Sequence, residues 1–355
     1  MKRKGNIYEK IIDKDNIRKA IIYASKQKKR RKNVKKVLDN IDYYANEIYE
    51  MLKNKTYVPS PYQEVIIHDG ARKKERTIYK PCFYPDQCIH WALMLQIEPI
   101  LSRGMYDYSC ACVKGRGIHY ALKYIKRILV QDRKNTKYCL KLDVKKFYPS
   151  IDKEILKKKF RRVIKCRDTL WLIDLIIDTL ENGVPIGNYT SQWFANFYLQ
   201  DLDHFIKEQL KVPYYVRYMD DMVLFHRNKK ELHKIKSKIG EFLTQEKLSI
   251  KENWTLFKLT DNNPLDFVGY RFYRGYTTLR RGNFLRIKRR MKKISKKEIL
   301  TKKDAGAVVS YRGVLTHANS YNFNQKYVRH LVDIRKCKEV LKNANRKQCK
   351  TDFQL

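Results

Sequence analysis

Acidic residues are scarce in this chain. Its 355 residues carry 37 Asp and Glu against 78 Lys and Arg, a formal net charge of +41. That excess goes far beyond what solubility requires and implies a polyanionic partner whose binding weakens steeply with salt. Long apolar runs are missing too: no stretch has the roughly 18 apolar residues of a spanning helix. The cations are spread along the whole chain, which favours nucleic acid over an anionic membrane surface. Met1-Lys-Arg-Lys-Gly5 is charged but lacks the apolar core of a signal peptide, so a cytoplasmic location is expected. The eight cysteines include no Cys-x-x-Cys pair. Cys110-Ala-Cys112 is too close for a zinc knuckle, and no His pair at finger spacing accompanies it. All eight are read as reduced thiols with packing roles.

What is present is length enough for two or three packed subdomains and an abundance of tyrosine, 26 residues. Most of these need no more than a filler role, but aromatic faces beside Lys and Arg also suit base stacking. The chemistry concentrates in Tyr214-Tyr-Val-Arg-Tyr-Met-Asp-Asp-Met-Val-Leu-Phe225. It reads as two β-branched and aromatic strands meeting at an acidic tip, Tyr218 to Asp221. A solvated turn can carry two acids. Adjacent carboxylates at the apex of an apolar hairpin are nevertheless costly, and a divalent cation with oxygen ligands offsets that cost. Upstream, Tyr138, Leu140 and Leu142 alternate as in a half-buried strand, which places Asp143 on the opposite face at its end. One acid ending a strand and two at a hairpin tip are the ingredients of a two-metal phosphoryl-transfer site, with cations about 3.5–4 Å apart.

Together Asp143, Asp220 and Asp221 resemble the palm of a nucleic-acid polymerase, and the Tyr-Met-Asp-Asp box with its flanks is similar to that of reverse transcriptases. The resemblance runs over roughly residues 60–320 and implies an α+β, right-hand polymerase fold. Residues 1–60 would form an N-terminal basic helical extension. Residues 61–280 would form fingers and palm, with an antiparallel sheet packed on helices, and 281–355 a small helical thumb. It also implies RNA-directed DNA polymerase activity, with Mg2+ (Mn2+ able to substitute) held by Asp143, Asp220, Asp221 and the Val144 carbonyl. The partners implied are an RNA template, a DNA or RNA primer and dNTPs, and a small basic accessory protein is a further candidate. No RNase H, protease, endonuclease or zinc-finger segment is expected.

Further site residues follow from the same resemblance. Tyr148, five residues after Asp143, stands where the family blocks a 2′-hydroxyl. Arg76 and Lys80, in the basic arm after the Asp69-Gly70 turn, match fingers residues that close on the triphosphate, although the arm also reads as a solvated edge strand. Phe267-Val268-Gly269-Tyr270 matches the hairpin that holds the primer 3′ end. Gly115-Arg116-Gly117 before a helix resembles a segment supporting the template path, and suits phosphate binding. Most reverse transcriptases have Gln-Gly-x-x-x-Ser-Pro where this chain has Ile186-Gly187-Asn-Tyr-Thr-Ser-Gln192. That variant is characteristic of diversity-generating retroelements, whose enzymes copy RNA with errors opposite adenine. An aliphatic side chain cannot supply the polar contact a Gln makes to the nascent pair. Abortive-infection and antiphage-defence enzymes drift at the same position. A palm lysine that protonates pyrophosphate is expected among Lys247, Lys251 and Lys258, and spacing does not choose between them. Asp152 reads as a helix cap, and Asp201 with Asp203 as structural, since helical residues two apart share no face.

Overall fold

The computed structural model describes residues 3–69 and 74–352. Helices α1 (Tyr8–Ile12), α2 (Lys14–Ser25), α3 (Lys32–Asp39) and α4 (Ile41–Lys53) open the chain. A hairpin of β1 (Gln63–Asp69) and β2 (Lys74–Lys80) follows, then α5 (Cys88–Ser102) and α6 (Ile118–Gln131). Strand β3 (Tyr138–Asp143) leads to α7 (Phe147–Ser150), α8 (Lys153–Val163), α9 (Arg167–Ile177), α10 (Tyr189–Tyr198) and α11 (Gln200–His204). A second hairpin, β4 (Tyr214–Tyr218) and β5 (Asp221–His226), precedes α12 (Lys229–Gln245) and β6 (Thr255–Lys258). Strands β7 (Leu265–Phe267), β8 (Tyr270–Phe272) and β9 (Thr277–Leu279) come next. Helices α13 (Arg281–Ser295), α14 (Lys302–Leu315), α15 (Tyr321–Asn324) and α16 (Ile334–Asp352) complete the order.

The chain forms two compact units: residues up to Tyr120 with Leu140–Leu256, and Ala121–Cys139 with residues from Phe257 on. In the first unit, α5 is apolar on every side and is buried accordingly, with Ile89, Ala92, Leu93 and Ile97 at its centre. The first 32 residues are expected as a short helix and a basic arm. They fold instead as two helices whose apolar stripe, Ile11, Ile17, Ala20, Ile21 and Ala24, is buried. Asn16 fastens α2 to α5 by donating to the Ala92 carbonyl at 3.1 Å. Only the turn after Ser25 keeps the exposed basic character. The single helix expected over 33–54 is two, because Asn40 leaves helical geometry (φ −130°, ψ 46°) between α3 and α4.

The central sheet runs β4-β5-β3-β6, with β4 and β5 antiparallel. Tyr215, Val216, Met222, Val223, Leu224 and Phe225 are buried, and so are Trp193, Phe194 and Phe197 of α10 and Phe160 of α8. Asp152 caps α8 as expected, its Oδ1 accepting from the Ile155 N–H at 2.9 Å. The hairpin β1–β2 pairs from Gln63↔Lys80 to Asp69↔Lys74. Its turn, with Gly70, Arg72 and Lys73, lies outside the described residues.

In the second unit, β7–β8–β9 is an antiparallel meander. Phe267↔Tyr270 closes a two-residue turn in which Val268 (φ 44°) and Gly269 (φ 88°) are both left-handed, as a type I′ hairpin requires. The Gly269 carbonyl takes the Arg280 N–H at 3.0 Å and the Asn283 Nδ2 at 3.1 Å. Helices α13 and α14 are joined by buried Asp304, which accepts from Arg290 (2.8 Å), Lys297 (2.6 Å) and the Thr301 hydroxyl (2.7 Å). Replacing this carboxylate strands two cations, and breaking one side of a buried pair is strongly destabilising. Asp304→Ala should therefore lose amide-exchange protection across α13 and α14, with little change in the first unit. Unchanged protection in α13 would contradict this account.

Candidate active site

The site is built where two strands of the central sheet end. Strand β3 delivers Asp143. The β4–β5 register ends at Tyr218↔Asp221, so Met219 and Asp220 form a two-residue turn. Met219 has φ 54°, the first-position geometry of a tight hairpin turn that favours Gly. A side chain there costs about 1–3 kcal/mol, so the surroundings must impose the conformation. Arg217 does so. It is fully buried, and its Nε and Nη2 donate to Asp203 at 2.7 and 2.5 Å. Its Nη1 donates to Asn196 Oδ1 at 2.9 Å and to the Met219 carbonyl at 3.0 Å. Asp203 also accepts from the Tyr215 hydroxyl at 2.8 Å. Asp201 faces elsewhere, to Lys159 (2.6 Å) and Arg162. Both acids are thus committed to structural pairs, as the helical spacing predicts.

The structure brings Asp143 and Asp220 together, close enough that the Asp143 carboxyl perturbs that of Asp220. Burial pushes Asp220 up to about 7, and the charges of Asp143 and Asp221 add to the effect. Asp221, the first residue of β5, has its Oδ1 3.8 Å from Lys141 Nζ. Among the described residues no three His, Cys, Asp or Glu side chains already converge as a cage. Lys251 sits at Asp143, with Nζ to Oδ2 at 3.0 Å, whereas Lys247 pairs with Asp152. Of the three candidate palm lysines, Lys251 is therefore the one at the acids. The bridge Val144↔Ile250 uses the Lys145 N–H and the Asp143 carbonyl. In such a non-hydrogen-bonded pair the Val144 carbonyl turns away from Ile250. These are hard oxygen donors. The neighbouring Cys112 thiol, pushed up to about 11 by burial, stays protonated and offers no soft ligand. The donor set fits Mg2+ or Mn2+.

Tyr148 lies in α7, half-buried, with its hydroxyl pushed up by burial and further by Cys112 and Asp220, while Arg76 acts in the opposite direction. The proposed gate and one fingers cation thus share the electrostatic neighbourhood of the acids. Arg76 and Lys80 lie on one face of β2, four residues apart with Ile78 between them. The β2 strand is tied to the variant motif by the Tyr79 N–H, which donates to the Ile186 carbonyl at 2.8 Å. Gly187 (φ 128°) lets them meet: a Cβ there would lie 2.6 Å from the Tyr79 carbonyl oxygen. Gln192 is exposed on the first turn of α10, and its Oε1 takes the Cys112 thiol at 3.4 Å. Cys112 Sγ is also 3.8 Å from Met219 Sδ. Sequence reasoning placed Cys112 in the packing and missed its position at the site; its left-handed backbone (φ 61°) is invisible in composition. Arg116 donates to the Tyr106 carbonyl at 3.1 Å and pairs with Asp107 at 3.2 Å. Phe267 to Tyr270 belong to the second unit and form the hairpin described above.

Acids at the ends of adjacent strands, in an antiparallel sheet packed on helices, define a right-hand polymerase palm. A family model described as "Reverse transcriptase (RNA-dependent DNA polymerase)" matches residues 68–272, more than half of the chain, and the chain belongs to that family. It is 28% identical over 200 residues to the Retron Ec73 reverse transcriptase of Escherichia coli, covering 50% of this chain and 60% of that protein. It is 30% identical over 190 residues to the Group II intron-encoded protein LtrA of Lactococcus lactis subsp. cremoris, covering 50% of this chain and 31% of that protein. The chain thus spans less than two thirds of either relative. Telomerase from Candida albicans, solved with a TWJ fragment of telomeric RNA, superposes with a TM-score of 0.50 at 13% identity, over 83% of this chain and 65% of that one. At that identity the likeness concerns the fold alone.

The raised Asp220 carboxyl makes a signed prediction. Its ordinary value is 3.8 and its folded value about 7, so between those pH values the folded state holds a proton the unfolded state has lost. Stability therefore falls as pH rises through that window. Asp220→Asn removes the penalty, which is at most about 4 kcal/mol. Without divalent cations its Tm should exceed that of the wild type at pH 8, and the advantage should close near pH 4. Melts at the two pH values check this, and a pH-independent difference would contradict it.

Proposed function

We propose that this chain is an RNA-directed DNA polymerase that copies a dedicated structured RNA into DNA, with frequent errors opposite adenine as in diversity-generating retroelements. The observation that carries the polymerase reading is the contact of Asp143 with Asp220 at the ends of β3 and the β4–β5 turn, inside the family-matched region. A primer 3′-hydroxyl attacks the α-phosphate of a dNTP, and pyrophosphate leaves. Divalent cations bound at Asp143, Asp220, Asp221 and the Val144 carbonyl would activate that hydroxyl and neutralise charge on the leaving group. The chain's own side chains do the rest. Arg76 and Lys80 bind the triphosphate, Lys251 stands ready to hand a proton to pyrophosphate, and Tyr148 closes the space a 2′-hydroxyl needs. Phe267 to Tyr270 hold the primer end.

The error-prone part rests on Ile186 and Gln192. The Ile186 side chain offers no hydrogen bond, and the Gln192 Oε1 accepts from the Cys112 thiol, so discrimination by polar contact is reduced. In this reading a small basic accessory protein assists the enzyme. The 28% identity to a retron reverse transcriptase favours a second reading, an antiphage-defence enzyme of the retron or abortive-infection kind.

The test is dNTP incorporation by the purified protein with its co-purified RNA, against Asp220→Ala, with sequencing of the product. DNA that disappears in the mutant and carries errors opposite template adenines supports the first reading. Faithful, repetitive or untemplated DNA moves the biology to defence. No Asp220-dependent DNA under any priming condition leaves a non-catalytic, maturase-like RNA-binding protein. Tyr148→Ala should raise use of ribonucleotides relative to deoxynucleotides by about tenfold or more, the worth of one lost steric contact of about 1.4 kcal/mol; paired incorporation assays read the ratio directly.

A further inference from the structure

The left-handed backbone at Met219 needs a cause, and the structure supplies one outside the acids themselves. The Met219 carbonyl receives the Arg217 Nη1 at 3.0 Å. Three of the other four N–H donors of the guanidinium are committed, which holds it in place against a relaxed turn. Two go to Asp203 on α11 and one to Asn196 on α10. Asn196 is itself fixed, donating from Nδ2 to the Ala111 carbonyl at 2.6 Å. The Arg217 backbone is clamped as well: its N–H donates to the Tyr108 carbonyl at 3.0 Å, and its carbonyl accepts from Cys110 at 2.8 Å. A planar fork with donors in fixed directions does this, where a lysine would satisfy one acceptor at a time.

We propose that Arg217 is a positioning residue for the reaction: through the Met219 carbonyl it holds the turn in the conformation that presents Asp220 to Asp143. Asn196 acts with it by fixing the orientation of Nη1. This goes one step beyond the polymerase reading and rests on it. A residue serving only the core would lower stability without singling out turnover. A residue that places the turn lowers kcat and leaves the KM for dNTP nearly unchanged, because the fingers and gate that bind the nucleotide are untouched.

The experiment compares wild type, Arg217→Lys, Asn196→Ala and the double variant Arg217→Lys with Met219→Gly, measuring kcat, KM and Tm on a primed RNA template. Displacing a reacting group by about 1 Å costs about 10²-fold in rate, so Arg217→Lys should lose turnover on that order at nearly constant KM. Asn196→Ala keeps both bonds to Asp203, and with them the fold, and should lose about tenfold. Glycine adopts positive φ without penalty, so the double variant should recover much of the turnover lost by Arg217→Lys. Should Arg217→Lys fail to fold, Asn196→Ala decides alone: reduced kcat at constant KM supports the proposal and wild-type kcat overturns it. Folded variants that all keep wild-type kcat also overturn it. If wild type itself makes no DNA, the polymerase reading falls first, and the Arg217 proposal falls with it.

Discussion

Like charge brought together at the rim of an apolar sheet is the constraint around which the first unit is arranged. Asp143 and Asp220 sit close enough to perturb one another, and burial limits the water that would screen their repulsion. The neighbourhood answers with positive charge that stops short of cancelling them. Lys251 meets Asp143, and Lys141 stands 3.8 Å from Asp221. Both lysines are partly exposed, so these contacts are weak by the standards of buried pairs. A harder, more highly charged cation would offset that repulsion more fully.

Such a turn holds only on a rigid base. The Arg217–Asp203 pair is fully buried, and a pair of that kind stabilises only when its remaining donors and acceptors are satisfied. Here four of the five guanidinium N–H groups are bonded, with Asn196 and the Met219 carbonyl taking the two on Nη1, and Tyr215 donates to the carboxylate as well. The network joins β4 to α10, α11 and the segment Tyr108 to Cys112. The left-handed residues Met219 and Cys112 touch through their sulfur atoms. Two of the chain's left-handed residues thus meet at the point where the acids are presented.

Much of this was legible along the chain because it is local. A hairpin with an acidic tip, a strand ending in Asp143 and an aromatic five residues on are patterns of near neighbours, and period-two alternation places them. The hairpin 214–225 forms with its acidic tip at the turn, and its strands are buried on both faces rather than alternating. What escaped reading depends on distant partners. Nothing in Asp203 or Arg217 alone says that they meet, and Cys112 gives no sign that it will lie against Gln192, 80 residues on. The choice among Lys247, Lys251 and Lys258 turned on where α12 returns the chain to β3, which spacing does not encode. The break at Asn40 was masked by apolar residues that keep helical spacing on both sides of it.

The loop from Ile186 to Gly187 shows how one segment divides freedom unequally between neighbours. Strand β2 meets residue 186 through its carbonyl, so the tie is indifferent to the side chain there. At residue 187 the backbones approach so closely that a single added carbon would collide. Position 186 can therefore change its chemistry while the architecture stands, and position 187 cannot. Such a loop lets a copying enzyme drift in character by single substitutions, with the scaffold acting as a ratchet against larger change.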